Sequence, residues 1–296
     1  MTTTTTEPAV RELSSLPGTL GLYARAVRPR PRRHAPLAGE GAVQLRGAVP
    51  DPERLRAYRE VCGYAAGGDR LPAAFPHLTA FPLSMALMTA RDFPLPVLGL
   101  VHLANRVEQV RPITPDESLD HLVRSTAPRQ HSKGRVFEIV AEARAAGSAD
   151  VVWRSVSTYL HRGPGGGAAP RTVEEDLPPA LLEETWPLAP DLGRRYGAVS
   201  GDRNPIHLHP LAARLFGFRR AIAHGMWSKA RALAALEQAE GGLPDAFTVG
   251  VDFRRPVLLP GSVRFAAARI GGNGWAFHVT DPSGAQRHLL GRLNPH

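Results

Sequence analysis

The chain is short of several things. It has one cysteine, Cys62, in 296 residues, so an internal disulfide is impossible and a reducing compartment such as the cytoplasm is expected. No apolar run approaches the roughly 20 residues that a membrane helix needs, which predicts no membrane span. The opening Met1-Thr-Thr-Thr-Thr-Thr-Glu-Pro lacks the basic end and apolar centre of a signal peptide. Lysine is scarce too. Only Lys133 and Lys229 occur, so the net charge of +9 is carried by arginine. No basic helix or aromatic stacking motif accompanies that charge, and nucleic acid is not an expected partner. An acidic small molecule or carrier protein makes better use of the arginines. The glycines at 163–167 lack the lysine and helix of a phosphate loop.

What is present organises around Tyr196 to Gly225. Asp202, Asn204 and His207 lie within six residues, and Pro205 bars a regular helix between them. A carboxylate and an imidazole on one irregular loop suit acid–base chemistry on a water. Asp202 could equally cap the turn that follows, and His207 could be a buried histidine bonded to a carbonyl. His209 and His224 invite a metal reading with His207 and Asp202, but loop and Pro210 break the pattern that would align His207 with His209, His224 reads as structural at its helix start, and no metal is expected. Pro210 to Phe216 reads as two helical turns stopped by Gly217. His224-Gly225-Met226 then opens a long Ala- and Leu-rich helix to Glu240, whose first amides could polarise a carbonyl oxygen.

The first half looks like this stretch with its chemistry removed. Tyr58 to Tyr64 aligns with Tyr196 to Asp202 at an offset of 138, with Tyr64 in place of the aspartate and no histidine after it. Arg111-Pro112 aligns with Arg255-Pro256 at an offset of 144. A repeat of about one hundred residues is right for two similar domains. Residues 1–40 read as a loose N-terminal arm, in which Arg25 to Arg33 packs arginine and proline into a solvated run. Residues 41–162 form the first domain, 163–188 a linker and 189–296 the second domain. Asp51-Pro52 reads as a capped helix start. Strands are expected at 43–49, 98–110, 119–125, 135–145 and 151–160. In the second half they are expected at 246–257, 263–270, 275–279 and 287–291. One buried helix followed by antiparallel strands, given twice, is α+β.

Ser200-Gly201-Asp202-Arg203-Asn204-Pro205-Ile206-His207 resembles the signature of MaoC-like (R)-specific enoyl-CoA hydratases, and His224-Gly225-Met226 resembles that family's second motif. The altered first half beside an intact second half is similar to the actinobacterial 3-hydroxyacyl-thioester dehydratases. The resemblance implies a double hotdog, two antiparallel sheets each wrapped around a central helix. It implies reversible dehydration of (3R)-3-hydroxyacyl thioesters to trans-2-enoyl thioesters in fatty-acid metabolism. Asp202 and His207 would be the catalytic pair, supported by Asn204 and by the Gly225 amide as an oxyanion donor. Tyr64 and Met85 would shape the acyl pocket, and Arg203 and Arg254 would contact phosphate. No cofactor is needed, since coenzyme A or the phosphopantetheine of an acyl-carrier protein arrives on the substrate. The chain would work as a monomeric double hotdog or a homodimer. A non-catalytic thioester-binding subunit and a hotdog thioesterase are the competing readings.

Overall fold

In the computed structural model, residues 10–27, 41–166 and 177–296 are described. The first half holds β1 (Val10–Leu13), α1 (Thr19–Ala26), β2 (Ala42–Ala48), α2 (Pro52–Cys62), α3 (His77–Met88), β3 (Leu100–Gln109), β4 (Leu119–Ser125), β5 (Arg129–His131), β6 (Gly134–Ala145) and β7 (Val151–Arg162). The second holds β8 (Leu182–Leu188), α4 (Leu192–Ser200), α5 (Pro205–Leu208), α6 (Pro210–Leu215), α7 (Gly225–Glu240), β9 (Phe247–Phe253), β10 (Gly261–Ile270), β11 (Gly274–Thr280) and β12 (Arg287–Pro295).

The local signals act as read. Asp51 caps α2, its side chain accepting from the Arg54 amide at 2.7 Å, with Pro52 at the first helical position. α3 buries every residue but Thr79, as a helix that is apolar all round should. α7 is its counterpart and buries ten of its 16 residues. Both serve as the central helix of their half.

The expectation of two sheets is corrected. All twelve strands belong to one sheet, ordered β1-β2-β4-β6-β7-β3-β9-β12-β11-β10-β8, with β5 beside β6. The fusion comes from β3 and β9, which pair antiparallel from Ala104 with Asp252 to Gln109 with Phe247. Within that ladder Arg106 faces Gly250, an offset of 250 − 106 = 144, so repeat-equivalent positions meet across the junction. α2 and α4 meet in the same way. Their Tyr58 and Tyr196 rings lie 6.4 Å apart, and each helix ends on a left-handed glycine, Gly63 (φ 76°) and Gly201 (φ 80°). Lys229 closes the seam. Fully buried on α7, it donates to the backbone and side-chain oxygens of Asn105 (3.3 and 2.6 Å) and to the Val249 carbonyl (3.2 Å).

Two segments hold elements that were not expected there. Residues 10–27, expected within a loose arm, form β1 and α1; β1 pairs parallel to β2, and Leu22 is fully buried. Leu182–Leu188, expected within the linker, is strand β8 on the edge of the second half, paired with β10. The arginine-proline run beyond Val27 and the acidic run Glu174-Glu175-Asp176 lie outside the described residues.

Candidate active site

Asp202 follows the left-handed Gly201 that ends α4, and its amide donates to Ser200 Oγ at 3.1 Å. Asn204 then caps α5, with Pro205 at the first position. His207 therefore sits on a single helical turn; the irregular loop expected there is confined to 201–204. Its register is held from the far side, where the Ile222 amide donates to the Ile206 carbonyl at 3.1 Å and the Ala223 amide to Val257 at 2.9 Å. α4 reaches this turn closely because Gly193 and Gly197 face it. A Cβ on Gly193 would lie 1.9 Å from the His207 carbonyl oxygen, and one on Gly197 2.9 Å from that of Asp202.

The functional groups converge. Ligand-type atoms of Asp202, His207 and His224 all lie within 4.8 Å of one another. His207 Nδ1 donates to the Ile222 carbonyl at 2.8 Å, since a carbonyl can only accept; this leaves Nε2 with its lone pair. His224 Nε2 donates to the Asp202 carbonyl at 3.0 Å. The two imidazoles stack, centroids 3.7 Å apart, and Tyr196 backs His224 at 4.9 Å. Asp202 Oδ1 accepts twice, from the Asn204 amide at 3.1 Å and from the Tyr23 hydroxyl on α1 at 2.6 Å. By distance alone the trio is close enough for a metal ion. One nitrogen of each imidazole is committed to a main-chain carbonyl, which fixes the ring and leaves the other nitrogen for chemistry.

The protonation states follow from burial and partners. Burial would raise the Asp202 carboxyl, but attraction to His224 and His207, then the Tyr23 and Asn204 hydrogen bonds, outweigh it and hold the group below the usual carboxylate range. Burial lowers His207 more than the Asp202 charge and the Ile222 carbonyl raise it. His224 is pushed down by burial and by His207 to about 3. The site at neutral pH thus holds a carboxylate and neutral imidazoles, two proton acceptors side by side.

A cavity of about 310 Å³ opens on these groups from the junction of the halves. The first half supplies Phe81, Met85 and Met88 from α3, His102 from β3 and Tyr159 from β7. The second supplies Phe216, Phe218, Met226, Phe253 and Val257. Arg162, Arg254 and Arg255 belong to the lining too. His102 stacks between Tyr159 (4.6 Å) and Phe253 (4.8 Å), and its buried Nε2 has no hydrogen-bond partner among the described residues.

Asp202, Asn204, His207, Gly225, Met85 and Arg254 are all brought to the cavity. Two expected residues are not. Tyr64 turns into the core, stacked on Tyr58 with centroids 6.0 Å apart. Arg203 is exposed and off the lining. Gly225 opens α7, and a Cβ there would lie 2.9 Å from the Phe253 ring, so the glycine admits that ring beside the helix start. Sequence reasoning missed Tyr23 and His102. The partner of Tyr23 lies 179 residues away, and no local spacing signals such a contact.

The family description "MaoC like domain" matches residues 176–281. The chain is 36% identical over 245 residues, 81% of its own length and 84% of the relative's, to 3-hydroxyacyl-thioester dehydratase X of Mycobacterium tuberculosis. It is 27% identical over 154 residues to peroxisomal enoyl-CoA hydratase 2 of Arabidopsis thaliana, covering 46% of this chain and 48% of that one. The crystal structure of HtdX from Mycobacterium tuberculosis superposes with a TM-score of 0.74 at 33% identity, covering 86% of this chain and all of that one.

Proposed function

The chain belongs to the MaoC-like hotdog family, and from that membership we propose that it interconverts (3R)-3-hydroxyacyl and trans-2-enoyl thioesters in fatty-acid metabolism. One observation carries the reading beyond family likeness. Asp202 and His207 meet at one wall of a largely apolar cavity, where their surroundings favour a carboxylate beside a neutral imidazole.

In hydration, the free Oδ2 of Asp202 and Nε2 of His207 hold a water against C3. Both groups start as bases, so the proton that one takes from the water is the proton the pair has for C2. The C3–O bond forms as the C2=C3 pair shifts toward the thioester carbonyl. The Gly225 amide at the start of α7 faces the negative charge that builds on that oxygen. The proton then reaches C2 from the same face, giving syn addition. Dehydration is the reverse.

The substrate's hydrocarbon chain lies along Phe81, Met85 and Met88, while Arg254 and Arg255 suit the phosphates of coenzyme A or of a carrier-bound pantetheine. The first half thus acts as a wall and the second as the catalyst. The buried lone Cys62 suits the reducing cytoplasm. Hydration of enoyl-CoAs of graded length, followed by loss of enoyl absorbance and chiral analysis of the product, tests the reading. Release of free thiol would turn it toward a thioesterase, and no turnover of any thioester would turn it toward a binding subunit.

A further inference from the structure

We propose that Tyr23 is a positioning residue for this reaction: its hydroxyl fixes the Asp202 carboxylate so that Oδ2 alone faces the reacting water. The N-terminal segment 10–27 is thereby part of the active site. The inference rests on the dehydratase reading.

The geometry is specific. Tyr23 Oη donates to Oδ1 at 2.6 Å, and the Asn204 amide donates to the same oxygen at 3.1 Å. Oδ1 is doubly engaged, so the second oxygen is the one left for chemistry; it lies 3.9 Å from His224 Nε2. Asn204 is local and fixes the carboxylate from its own turn. Tyr23 comes from another element and supplies the second point that stops rotation about the Cβ–Cγ bond.

The helix that carries it is anchored on both sides. Leu22 is fully buried. On the preceding strand, the Arg11 guanidinium donates to the Ala86 carbonyl of α3 at 2.9 Å. At the start of α1 Thr19 lies against the turn itself, since a Cβ on Gly201 would lie 3.1 Å from the Thr19 methyl. α1 therefore ties α3 of the first half to the catalytic turn of the second.

The other groups that face Asp202 do not duplicate this contact. His77 on α3, His102 on β3, Tyr159 on β7 and Tyr196 on α4 act on it through space, and His207 and His224 complete the set. Burial, and then Asp202 itself, pushes the Tyr23 phenol far above its usual value, so it remains a donor. A donor to the ionised carboxylate favours ionisation. Its loss moves the Asp202 titration upward and carries the acid limb of activity to higher pH.

The test is Tyr23→Phe, which keeps the ring. Hydration of a crotonyl thioester should show kcat lowered roughly 10- to 100-fold, KM within about twofold, the acid limb of kcat moved to higher pH and a cooperative melt only modestly lowered, as loss of one hydrogen bond to the carboxylate requires. In an Asp202→Asn background the same change should cost nothing further, because Tyr23 acts through that carboxylate. Wild-type kcat with an unmoved pH profile overturns the proposal, and so does a further loss in the Asp202→Asn background. The carbon-13 carboxyl titration of Asp202 supplies a readout that needs no substrate. Its midpoint should rise in Tyr23→Phe, and an unchanged midpoint overturns the proposal even if the wild type turns over no thioester. If the phenylalanine variant fails to fold, 3-fluorotyrosine at position 23 keeps the hydroxyl as a stronger donor. It should lower the Asp202 midpoint, and an unmoved midpoint there is equally fatal.

Discussion

Asp202 and His207 occupy the same wall but are held by different means. The carboxylate is fixed by side-chain and amide donors, whereas the imidazole is fixed by a main-chain acceptor at 2.8 Å. Removing either functional group leaves that scaffold in place. Asp202→Asn or His207→Ala should therefore fold normally and lose about 10² to 10⁴ in kcat, the usual worth of general acid–base catalysis. The double variant should be little worse than either single one, because the pair shares one proton. Steady-state rates on a crotonyl thioester check this, and near-wild-type turnover by a folded single variant would sink the assignment. Met85 belongs to the same scale. It is 2% exposed and lines the cavity from α3. Met85→Ala should move the preferred acyl length upward while a short thioester still turns over, since pocket changes of one methylene are worth about 1–3 kcal/mol. Rates across a series of chain lengths would show it; an equal loss at every length would place Met85 in the chemistry.

At the scale of elements, the turn that carries His207 depends on what α4 lacks. Gly193 and Gly197 lie four apart on one face of that helix, and the turn carrying His207 packs against the bare backbone. Alanine is the better helix former by about 1 kcal/mol, so propensity alone predicts that Gly193→Ala stabilises. The contact predicts the opposite, because the new methyl would sit 1.9 Å from the His207 carbonyl oxygen. The variant should be destabilised by about 1–3 kcal/mol from overpacking, and kcat should fall by roughly 10²-fold as His207 is displaced. Denaturant melts and kcat measured together decide it; a more stable and fully active Gly193→Ala would show that α5 yields freely. Elements also differ in how legible they are. β4 matches its expected bounds because Leu119, His121, Val123 and Ser125 alternate inward with period two. The convergence of Asp202, Asn204, His207 and the head of α7 on one cavity was readable because residue type and spacing carry it. β8 was not, since Pro187, Glu183 and Glu184 read as linker; an edge strand tolerates proline and charge that an inner strand does not. Tyr64 misled for a related reason. Its alignment with Asp202 is real, but alignment fixes a backbone position, and an aromatic ring placed there found the core instead of the cavity.

For the whole molecule, burial of histidine couples folding to pH. Burial pushes His77 to about 4, with Lys229 adding to the effect, and takes His121 to about 4; burial and His207 take His224 to about 3. Each lies below the unfolded value of about 6.5, so the unfolded chain binds protons first as pH falls. Stability should be full above about pH 6.5 and drain away as pH drops toward 4, by up to about 1.4 kcal/mol per pH unit for each group. Melting temperatures recorded across that window test this, and a flat profile would mean that these imidazoles accept protons while folded.

The junction of β3 with β9 brings equivalent positions together, Arg106 against Gly250. Two separate identical subunits meeting about a twofold axis would touch in the same self-complementary way. Here one covalent chain holds both, and Tyr64 stands where the other carries Asp202. The consequence is one of stoichiometry. A symmetric pair of identical subunits titrates with two equivalents of a tight-binding substrate analogue, whereas this pair, equal in architecture and unequal in chemistry, should saturate at one equivalent per chain.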